Sequence, residues 1–472
     1  MNEAQLNAIV EQVVRRLSGE LGKAPAPARA VAPAVLTKRP GIFDDFDAAG
    51  AAATKAQEQW VRTSVEVRER VIEAIREVSR RLTEEISRMA VEETGLGNVK
   101  DKIQKNLLVA NKTPGMEILK PYAVSGDHGL MLMERAPFGV IGAITPSTNA
   151  TETIINNGIG MVAGGNAVVF NLHPSAKGVG CHLISKMNEA IVAAGGPANL
   201  IVTIGSPSIE TAQALMKHKS IRLIVVTGGP AVVKAAMNSG KRAIAAGPGN
   251  PPAVVDETAD LERAAKDLVD GASLDNNIVC IVEKEIFAVA SIADELKKNM
   301  AKYGGFEVPS SAINRLEKLV VHDGHAHRDW VGKDATKIAE AAGFRAPSGT
   351  RLLFAEVDPM HPFVQAELLM PVVGFCRLKT VEDCIAAALQ AEHGFGHTAT
   401  MHSTNIENLS AMAKLVNTSI FVKNGPSFAG LGLTGEGYTS FTIASPTGEG
   451  LTTARTFTRE RRCTLKDSFR II

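Results

Sequence analysis

Short apolar segments alternate with helical segments along most of this chain, from Pro137 to about residue 422. Apolar strands that each lead into a helix predict a parallel sheet, because the crossover helices cover both of its faces. One such series runs from Pro137 to Met237, and a second begins near Pro251. We therefore expect an α/β fold built from two strand–helix series.

The first series predicts where a ligand would bind. Its strands are Phe138–Ile144, Ala167–Phe170, Leu200–Ile204 and Leu223–Val226, and its helices are Thr151–Val162, Lys177–Ala193, Ile209–Lys217 and Ala231–Met237. Ligands of such sheets bind at the carboxyl ends of the strands. The loops expected to contact a ligand are therefore Thr145–Asn149, Asn171–Ser175 and Thr227–Gly229.

The rest of the chain is predicted from the same patterns. The second series has strands at Ala253–Asp256, Glu285–Val289, Leu352–Glu356, Val372–Leu378, Ala399–His402 and Ile420–Val422, and helices at Leu261–Val269, Ile292–Lys302, Val381–Gln390 and Ile406–Val416. Residues 44–111 look helical, and we expect their charges to form mostly a solvated face. The tail Ser440–Phe469 is rich in Thr and Arg and predicts extended arms of the kind that pair between subunits.

One glycine motif lies in the wrong context for a dinucleotide site. Residues 158–163 match the pattern G-x-G-x-x-A, but they end a predicted helix and precede a strand. A dinucleotide fingerprint instead follows a strand and opens a helix. The segment Thr227–Gly229 has that order and is the better candidate for a nucleotide contact.

Charge and composition argue against several classes of partner. The net charge of +1 and the aromatic content of 4% disfavour nucleic acid and a charged membrane surface. The five cysteines form no C-x-x-C pair, and Cys376 and Cys384 have no histidine at zinc-finger spacing. We therefore expect a reducing cytosol, no metal, no nucleic acid and no membrane.

The N-terminal segment combines an amphipathic helix with a spacer. Apolar residues between Leu6 and Leu21 recur at helical spacing and form one stripe. Residues 23–40 are rich in Ala and Pro, which is typical of an extended, semi-rigid spacer. A helix on such a spacer has its apolar face available to a partner. This arrangement favours a docking peptide over a helix that packs on its own domain.

The segment Ala272–Ile281 is where we place the chemistry. Small and amide residues lead into Cys280, and an apolar segment and three charged residues follow it. This pattern suits a loop that presents a thiol at the mouth of a packed core. Backbone N–H groups and nearby amides can supply the thiolate character that a nucleophile needs. The residues alone also allow a buried core cysteine, so both interpretations stand at this point.

Several stretches taken together resemble the aldehyde dehydrogenase superfamily. They are Ile144–Asn149, Val226–Gly229, the Cys280 segment and Glu367–Pro371, and the resemblance extends from about residue 40 to the C-terminus. The segments Glu392–Thr398, Ser445–Gly450 and Arg459–Cys463 resemble the CoA-acylating branch, in particular the propionaldehyde and acetaldehyde dehydrogenases of bacterial microcompartments. The N-terminal helix and spacer resemble the encapsulation peptides of such enzymes, which dock on shell proteins.

The resemblance implies a Rossmann-type cofactor domain, an α/β catalytic domain and extended oligomerisation arms. The corresponding segments are an encapsulation helix at 1–22, an Ala/Pro linker at 23–40, a nucleotide-binding domain at 41–246 with an oligomerisation hairpin at about 121–136, a catalytic domain at 247–424, and a C-terminal return and oligomerisation arm at 425–472. It also implies a homodimer or homotetramer that binds a shell protein through residues 1–22, inside a microcompartment of the bacterial cytoplasm.

Particular residues acquire roles from the resemblance. Cys280 matches the nucleophile, and Asn149 matches the amide that helps to bind the oxyanion. The residues that match the NAD site are Thr145, Pro146, Asn171, His173, Thr227, Gly228, Gly229 and Glu367, the last of these on the nicotinamide ribose. Asn171 stands where hydrolytic relatives usually have a lysine, and Pro174 near where they often have an acid. NADP therefore stays possible beside NAD.

One departure from the hydrolytic relatives bears on the reaction. Those enzymes carry a glutamate base in a Glu-Leu-Gly-Gly-Lys segment, whereas the matching stretch Ala245–Pro251 has no carboxylate. Without that base, water is poorly activated at a thioester, while coenzyme A brings its own thiol. We therefore expect oxidation of a short-chain aldehyde, propionaldehyde first and acetaldehyde next, to its acyl-CoA through a thioester on Cys280.

Alternative functions stay open at this point. They are a hydrolytic NAD(P)-dependent aldehyde dehydrogenase that gives the free acid, an enzyme similar to γ-glutamyl phosphate reductase, and a shell-associated scaffold with a dead site. His393 and His397 are candidates either for assisting coenzyme A or for a structural role.

Overall fold

A computed structural model describes residues 39–472, so the predicted encapsulation helix 1–22 and nearly all of the predicted linker 23–40 lie outside the described residues. The strands are β1 (Ile42–Phe43), β2 (Tyr122–Gly126), β3 (Gly129–Pro137), β4 (Val140–Ile144), β5 (Ala167–Asn171), β6 (Ile201–Ile204), β7 (Ile221–Thr227), β8 (Ala243–Ala246), β9 (Pro252–Val255), β10 (Glu285–Val289), β11 (Gly305–Glu307), β12 (Val321–His322), β13 (His325–Ala326), β14 (Leu352–Glu356), β15 (Val372–Leu378), β16 (Thr398–His402), β17 (Ile420–Lys423), β18 (Ile443–Ala444), β19 (Gly450–Leu451) and β20 (Thr458–Lys466).

The helices cover and connect these strands. The α-helices are Phe46–Trp60, Val65–Thr94, Val99–Lys112, Ala150–Ala163, Lys177–Ala193, Ile209–Lys217, Pro230–Met237, Leu261–Ser273, Ala293–Lys302, Ser310–Val320, Ala335–Ala341, Pro362–Gln365, Val381–Ala391 and Ile406–Val416. The 3₁₀ helices are Met116–Ile118, Pro174–Ala176, Leu274–Asn277, Arg328–Trp330 and Ser427–Leu431. No helix within residues 39–472 is long and apolar enough to cross a membrane.

The predicted strand–helix alternation is confirmed in both series, with small differences at the ends of elements. Several elements were not predicted, among them β8, β11 and the helices Ser310–Val320 and Ala335–Ala341. The helix predicted to end at Val269 continues to Ser273, because Ala272 and Ser273 are buried and tertiary packing outweighs the weak helical propensity of Gly271. The motif at 158–163 lies inside the helix Ala150–Ala163, as its context predicted. A side chain at Gly160 would meet the ring of Phe457, so this glycine serves helix packing.

The six-stranded sheet creates a crevice at the end of β4. Its order is β1-β6-β5-β4-β7-β8, and all neighbouring strands are parallel. The chain moves from β4 through β5 to β6 on one side and then returns to β7 and β8 on the other. Strand order therefore reverses beside β4, where the loops after β4 and β7 diverge and such sheets bind ligands.

The seven-stranded sheet has the order β11-β14-β15-β10-β9-β16-β17, and its neighbouring strands are also parallel. The two sheets occupy the predicted nucleotide-binding and catalytic segments. Residues 40–472 form one compact unit, and the domain boundaries within it stay a prediction.

A separate three-stranded antiparallel sheet joins the two predicted arms. β2 pairs with β3 as a hairpin, and β20 pairs with the other edge of β3. Most of β20 is exposed, and so are the side chains of Tyr122 and Val124 on β2. The extended tail and the hairpin are confirmed, while their role in oligomerisation stays a prediction.

Candidate active site

Four site segments lie at the amino ends of neighbouring strands in the seven-stranded sheet. Gly249 precedes β9, Cys280 precedes β10, Glu367 precedes β15 and His397 directly precedes β16. These strands are parallel neighbours in the order β15-β10-β9-β16. Because the amino ends of parallel strands meet at one edge of the sheet, residues distant in sequence converge there.

Gly249 is packed between the other members of this group. Its N–H faces Glu367 Oε1 at 3.4 Å. A Cβ at this position would lie 2.9 Å from the carbonyl oxygen of Cys280 and 2.9 Å from Cγ of His397. The absence of a side chain at Gly249 therefore allows the Cys280 loop and the His397 ring to come close together.

Cys280 follows a turn of unusual backbone conformation. Asp275, Asn276 and Asn277 have φ values of 48°, 54° and 65°, in the left-handed region that Asp and Asn tolerate better than most residues. Val279 and Ile281 are buried, whereas Cys280 is half-buried and packs against the margin of the core. The predicted loop that presents a thiol at the mouth of a packed core is confirmed.

A buried lysine holds this loop in place. Lys284 Nζ donates to the Asn277 carbonyl oxygen at 2.8 Å, to Asn277 Oδ1 at 2.6 Å and to the Val279 carbonyl oxygen at 3.2 Å. These acceptors match the three donors of an ammonium group. Burial lowers the pKa of Lys284 to about 8, although the nearby Glu367 carboxylate acts in the opposite direction.

The surroundings of Cys280 favour the thiol over the thiolate. Burial, and after it the Glu367 carboxylate, raises the pKa of Cys280 to about 12, and the ammonium groups of Lys284 and Lys105 offset this only in part. The backbone N–H of Cys280 lowers this pKa, as expected, but by less than burial raises it. Desolvation penalises the charged sulfur more strongly than those donors favour it.

Glu367 is the carboxylate that acts most strongly on Cys280. Burial raises the pKa of Glu367 to about 7, against the pull of Lys284. A carboxyl group with this pKa can take up and release a proton near neutral pH. The structure thus places a proton acceptor beside a protonated thiol.

The loops after β4 and β7 lie at the crevice of the six-stranded sheet, as predicted. Thr145 N–H donates to the Asn171 carbonyl oxygen at 3.2 Å, and buried Thr145 Oγ1 has no hydrogen-bond partner among residues 39–472. Pro146 follows it and is half-buried. Thr227 Oγ1 lies 2.9 Å from Thr442 Oγ1 at the end of β7.

The glycines after Thr227 open the helix Pro230–Met237. Gly229 is its N-cap and Pro230 its first residue. A Cβ on Gly229 would meet open space, whereas one on Gly228 would meet Val232 at 2.8 Å. The helix start therefore leaves room for a ligand at Gly229.

Two predicted cofactor residues have local hydrogen bonds. Asn171 is buried, and its Oδ1 accepts from Thr211 Oγ1 at 2.7 Å. His173 is exposed, and its Nδ1 accepts from the Ser175 N–H at 3.2 Å, which places the proton of the neutral ring on Nε2. Both residues lie at the carboxyl end of β5, beside the loop after β4.

Asn149 contacts a buried ion cluster that sequence analysis missed. Asn149 is buried at the N-cap of the helix Ala150–Ala163, and its Oδ1 accepts from Lys105 Nζ at 2.6 Å. Lys105 also forms ion pairs with Asp275 at 2.6 Å and with Glu152 at 3.0 Å. Lys102 donates to Asp275 at 3.0 Å and to the Thr148 carbonyl oxygen at 3.2 Å.

The expectation of a solvated charged face is wrong for Lys102 and Lys105. They are buried on the same face of the helix Val99–Lys112 as Asn106 and Val109. The signal was their spacing of i, i+3, i+4 and i+7, which places both lysines where a packed helix has its apolar face. Tertiary structure supplies the carboxylates that make this burial possible.

His393 and His397, whose roles the sequence left open, lie in different environments. His393 is exposed, and its Nε2 lies 2.9 Å from the Gln365 carbonyl oxygen. His397 is buried, its Nδ1 lies 2.9 Å from Thr398 Oγ1, and its Nε2 has no hydrogen-bond partner among the described residues. Burial, and next the charge of Lys284, lowers the pKa of His397 to about 4, so the ring is neutral near pH 7.

Within residues 39–472, no group of three or more His, Cys, Asp or Glu side chains is placed to hold a metal ion. Cys280 is half-buried before β10 and packs against the core that includes the six-stranded sheet. Residues 36–304 match the model of the aldehyde dehydrogenase family. The chain belongs to the aldehyde dehydrogenase family.

Within that family, the chain is similar to CoA-acylating enzymes. It is 50% identical to the acetaldehyde dehydrogenase (acetylating) EutE of Salmonella typhimurium, over 98% of this chain and 99% of that protein. Rhodopseudomonas palustris propionaldehyde dehydrogenase, solved with bound CoA and an acylated cysteine, is 50% identical with a TM-score of 0.89, over 90% of this chain and 98% of that chain.

A second solved structure adds a microcompartment relative. A propionaldehyde dehydrogenase from the Clostridium phytofermentans fucose utilisation bacterial microcompartment is 47% identical, with a TM-score of 0.90 over 92% of this chain and 100% of that chain. The resemblance to CoA-acylating aldehyde dehydrogenases of bacterial microcompartments, and the fold that it implied, are confirmed.

Proposed function

We propose that this protein oxidises a short-chain aldehyde, propionaldehyde or acetaldehyde, to its acyl-CoA with NAD and coenzyme A. The observation that carries the proposal is the half-buried Cys280 thiol at the sheet edge where Glu367, Lys284 and His397 converge. Acetylating and CoA-bound relatives support the same reaction class.

The crevice of the six-stranded sheet fits a dinucleotide. Buried Thr145 Oγ1 is a polar atom without a protein partner, and the open space at Gly229 lies at a helix start that favours a phosphate. The residues that would hold NAD are Thr145, Pro146, Asn171, His173, Thr227, Gly228 and Gly229, with Glu367 on the ribose. When bound, NAD accepts the hydride. The segment Asn171–Ser175 has no acid to repel the 2′-phosphate of NADP.

In the first half-reaction, Cys280 Sγ bonds to the aldehyde carbon while its proton leaves to Glu367. Glu367, whose pKa of about 7 leaves it partly ionised near neutral pH, takes up that proton as the carbon–sulfur bond forms. The carbonyl oxygen becomes an oxyanion and accepts a hydrogen bond from the Asn149 amide. Loss of hydride from the carbon then leaves an acyl thioester on Cys280.

In the second half-reaction, the thiol of coenzyme A attacks this thioester. Its proton is released as the new bond forms, and the neutral ring of His397, whose Nε2 has no partner among the described residues, can accept a hydrogen bond from that thiol. The new bond joins the coenzyme A sulfur to the acyl carbon, and Cys280 leaves with its electron pair and is reprotonated. The matching stretch for a hydrolytic base, Ala245–Pro251, has no carboxylate to activate water instead.

An assay of NADH formation with C2–C4 aldehydes, with and without coenzyme A, tests the proposal. We expect sustained turnover only with coenzyme A, and one equivalent of NADH per site without it, because the acyl group stays on Cys280. Sustained, coenzyme A-independent turnover that releases the acid would contradict it.

A hydrolytic activity is the second candidate, and one observation favours it. Glu367 brings to Cys280 a carboxyl group that titrates near neutral pH, and such a group can activate water. The same assay separates the two reactions, since only hydrolysis gives free acid at many turnovers per site.

We also propose a location and partners. Residues 1–22 dock the enzyme on a microcompartment shell protein in the bacterial cytoplasm, and β2, β3 and β20 pair subunits into a homodimer or homotetramer. The microcompartment relative and the exposed residues of these strands support these proposals.

A further inference from the structure

The buried ion cluster of Lys102, Lys105, Glu152 and Asp275 joins three elements at the proposed site. The lysines belong to the helix Val99–Lys112, Glu152 belongs to the helix that Asn149 caps, and Asp275 belongs to the turn before Cys280. All four side chains are at most 2% exposed. The cluster therefore couples the proposed oxyanion donor to the loop of the proposed nucleophile.

Lys105 is the member that touches the side chain of Asn149. An ammonium group donates hydrogen bonds and accepts none, so it can face only the oxygen of an amide. The contact from Lys105 Nζ to Asn149 Oδ1, at 2.6 Å, therefore fixes the orientation of the amide, with its oxygen toward Lys105. The amide NH₂ therefore points away from Lys105, and its nitrogen lies 3.4 Å from Thr148 Oγ1.

The carboxylates around Lys105 keep its ammonium group protonated, so that it can donate hydrogen bonds. Asp275 and Glu152 face its ammonium group, and Lys102 shares Asp275 with it. Burial alone would lower the pKa of Lys105, but the two carboxylates raise it above its usual value. Asp275 is held ionised, because the two lysines outweigh the effect of its burial and lower its pKa.

We propose that Lys105 is a positioning residue, which orients the Asn149 amide so that its NH₂ donates to the oxyanion formed on the aldehyde. Without Lys105 only the long contact to the Thr148 hydroxyl remains, and a hydroxyl can face either end of an amide, so the amide oxygen can turn to the oxyanion and repel it. This proposal rests on the proposed function. It predicts that Lys105 acts on the rate through Asn149 and not independently of it.

A double-mutant cycle tests this dependence. The measurement is the single-turnover rate of NADH formation with propionaldehyde, without coenzyme A, for Lys105→Met, Asn149→Ala and the double variant. We expect Asn149→Ala to lose about 10²–10³-fold, as for other oxyanion donors, and Lys105→Met to lose about 10–10²-fold. In the Asn149→Ala background, Lys105→Met should cost less than about twofold, because coupled residues are not additive.

Two matched variants separate positioning from folding. Lys102→Met removes the other ammonium group from Asp275 without touching the Asn149 side chain, and Lys100→Met changes an exposed lysine on the same helix. We expect Lys100→Met to keep the wild-type rate and Lys102→Met to lose much less rate than Lys105→Met. If Lys105→Met does not fold, the variant that combines Lys105→Met with Glu152→Gln replaces it in the cycle. The second substitution removes the carboxylate that loses its ion pair with Lys105.

The outcomes distinguish this inference from the proposed function. If the rate losses of Lys105→Met and Asn149→Ala multiply in the double variant, Lys105 does not act through Asn149. If Lys102→Met loses as much rate as Lys105→Met, the positioning role of Lys105 is also overturned. If Asn149→Ala itself keeps the wild-type rate, the proposed oxyanion donor is wrong, and the inference fails with it. An unchanged Kd for NAD in Lys105→Met, together with the expected cycle, supports the inference.

Discussion

At the scale of single residues, the thiol of Cys280 is neutral and lies close to several buried ionisable side chains. Glu283, Lys284 and Glu285 directly follow the Cys280 loop, and all of them are buried. Burial raises the pKa of Glu285 well above its usual value, and both of its oxygens have no hydrogen-bond partner among the described residues. The reactivity of Cys280 therefore depends on its nearest charges, Glu367 and Lys284.

Replacing the sulfur tests whether Cys280 carries the acyl group. Cys280→Ala should abolish acyl-CoA formation and the single equivalent of NADH, because no thioester can form. NAD binding should stay nearly intact, since Cys280 is not among the residues that we assign to NAD. Fluorescence titration with NAD and a coupled acyl-CoA assay check both statements. Substantial residual turnover would remove Cys280 from the mechanism.

The charges next to Cys280 should change its reactivity in opposite directions. Glu367→Gln removes the carboxylate that raises the pKa of Cys280, so alkylation by iodoacetamide should become faster at fixed pH. Lys284→Met removes a cation that lowers that pKa, so alkylation should become slower. From about pH 8 to pH 10 the wild-type rate should rise with pH, because the thiolate reacts and its fraction grows with pH.

These rates are measured without NAD and in a Cys463→Ser background, because Cys463 is exposed and would react first. Cys280→Ala in the same background supplies the rate at the remaining buried cysteines. If Glu367→Gln leaves the rate unchanged or slows it, the carboxylate does not control this thiol.

At the scale of elements, the turn Leu274–Asn277 connects the Cys280 loop to its supports. Asp275 accepts from the Asn98 N–H at 2.8 Å, and Asn276 donates to the Gly332 carbonyl oxygen and to Asp334 Oδ1, each at 3.0 Å. Three successive left-handed residues are unfavourable without such contacts. The turn is thus stabilised by neighbours that are distant in sequence.

Two substitutions at Asn276 isolate the contribution of its left-handed backbone to the stability of the protein. Both Asn276→Gly and Asn276→Ala remove the side-chain hydrogen bonds, but only alanine is strained at a φ of 54°. The glycine variant should be more stable than the alanine variant by about 1 kcal/mol, and it should melt at the higher temperature.

The control is Glu77, which is exposed within the helix Val65–Thr94. At position 77 the alanine variant should be more stable than the glycine variant, since glycine costs up to about 1 kcal/mol relative to alanine inside a helix. If alanine is also the more stable residue at position 276, the left-handed conformation of that residue is wrong.

At the scale of the whole molecule, catalysis and docking are proposed for different parts of the chain. Every residue of the proposed site lies between Lys102 and His397, within the compact unit 40–472. The predicted docking helix occupies residues 1–22, outside the described residues. A short amphipathic helix is marginally stable alone in water and gains order when its apolar face binds a groove.

Deleting residues 1–22 should therefore separate the two properties. We expect turnover with propionaldehyde, NAD and coenzyme A to be nearly unchanged, and co-purification with shell proteins to be lost. Charged substitutions at Ile9, Val13 and Leu17 in the full-length chain should abolish co-purification as well. If the truncation unfolds the enzyme or removes its activity, the helix is part of the core and the docking proposal is wrong.

Local patterns determined much of this protein. Apolar segments of strand length and helical periodicity are local properties, so the strand–helix alternation and bounds such as Glu285–Val289 and Ile406–Val416 were predicted from the sequence. The Cys280 loop was also predicted, because small and amide residues lead into it and apolar residues flank it. The assignment of roles to Asn149 and Glu367 needed the family resemblance, since nothing local distinguishes them from other polar residues.

Only the tertiary structure decided the electrostatics of the site. Lys105 and Lys284 look like solvated charges in the sequence, yet both are buried. Carboxylates from distant segments surround Lys105, and oxygens of the turn before Cys280 surround Lys284. The same burial makes Cys280 a thiol and leaves His397 neutral. A pKa depends on desolvation and on charges a few ångströms away, and these distances are set by the order of strands in a sheet rather than by the order of residues in a chain.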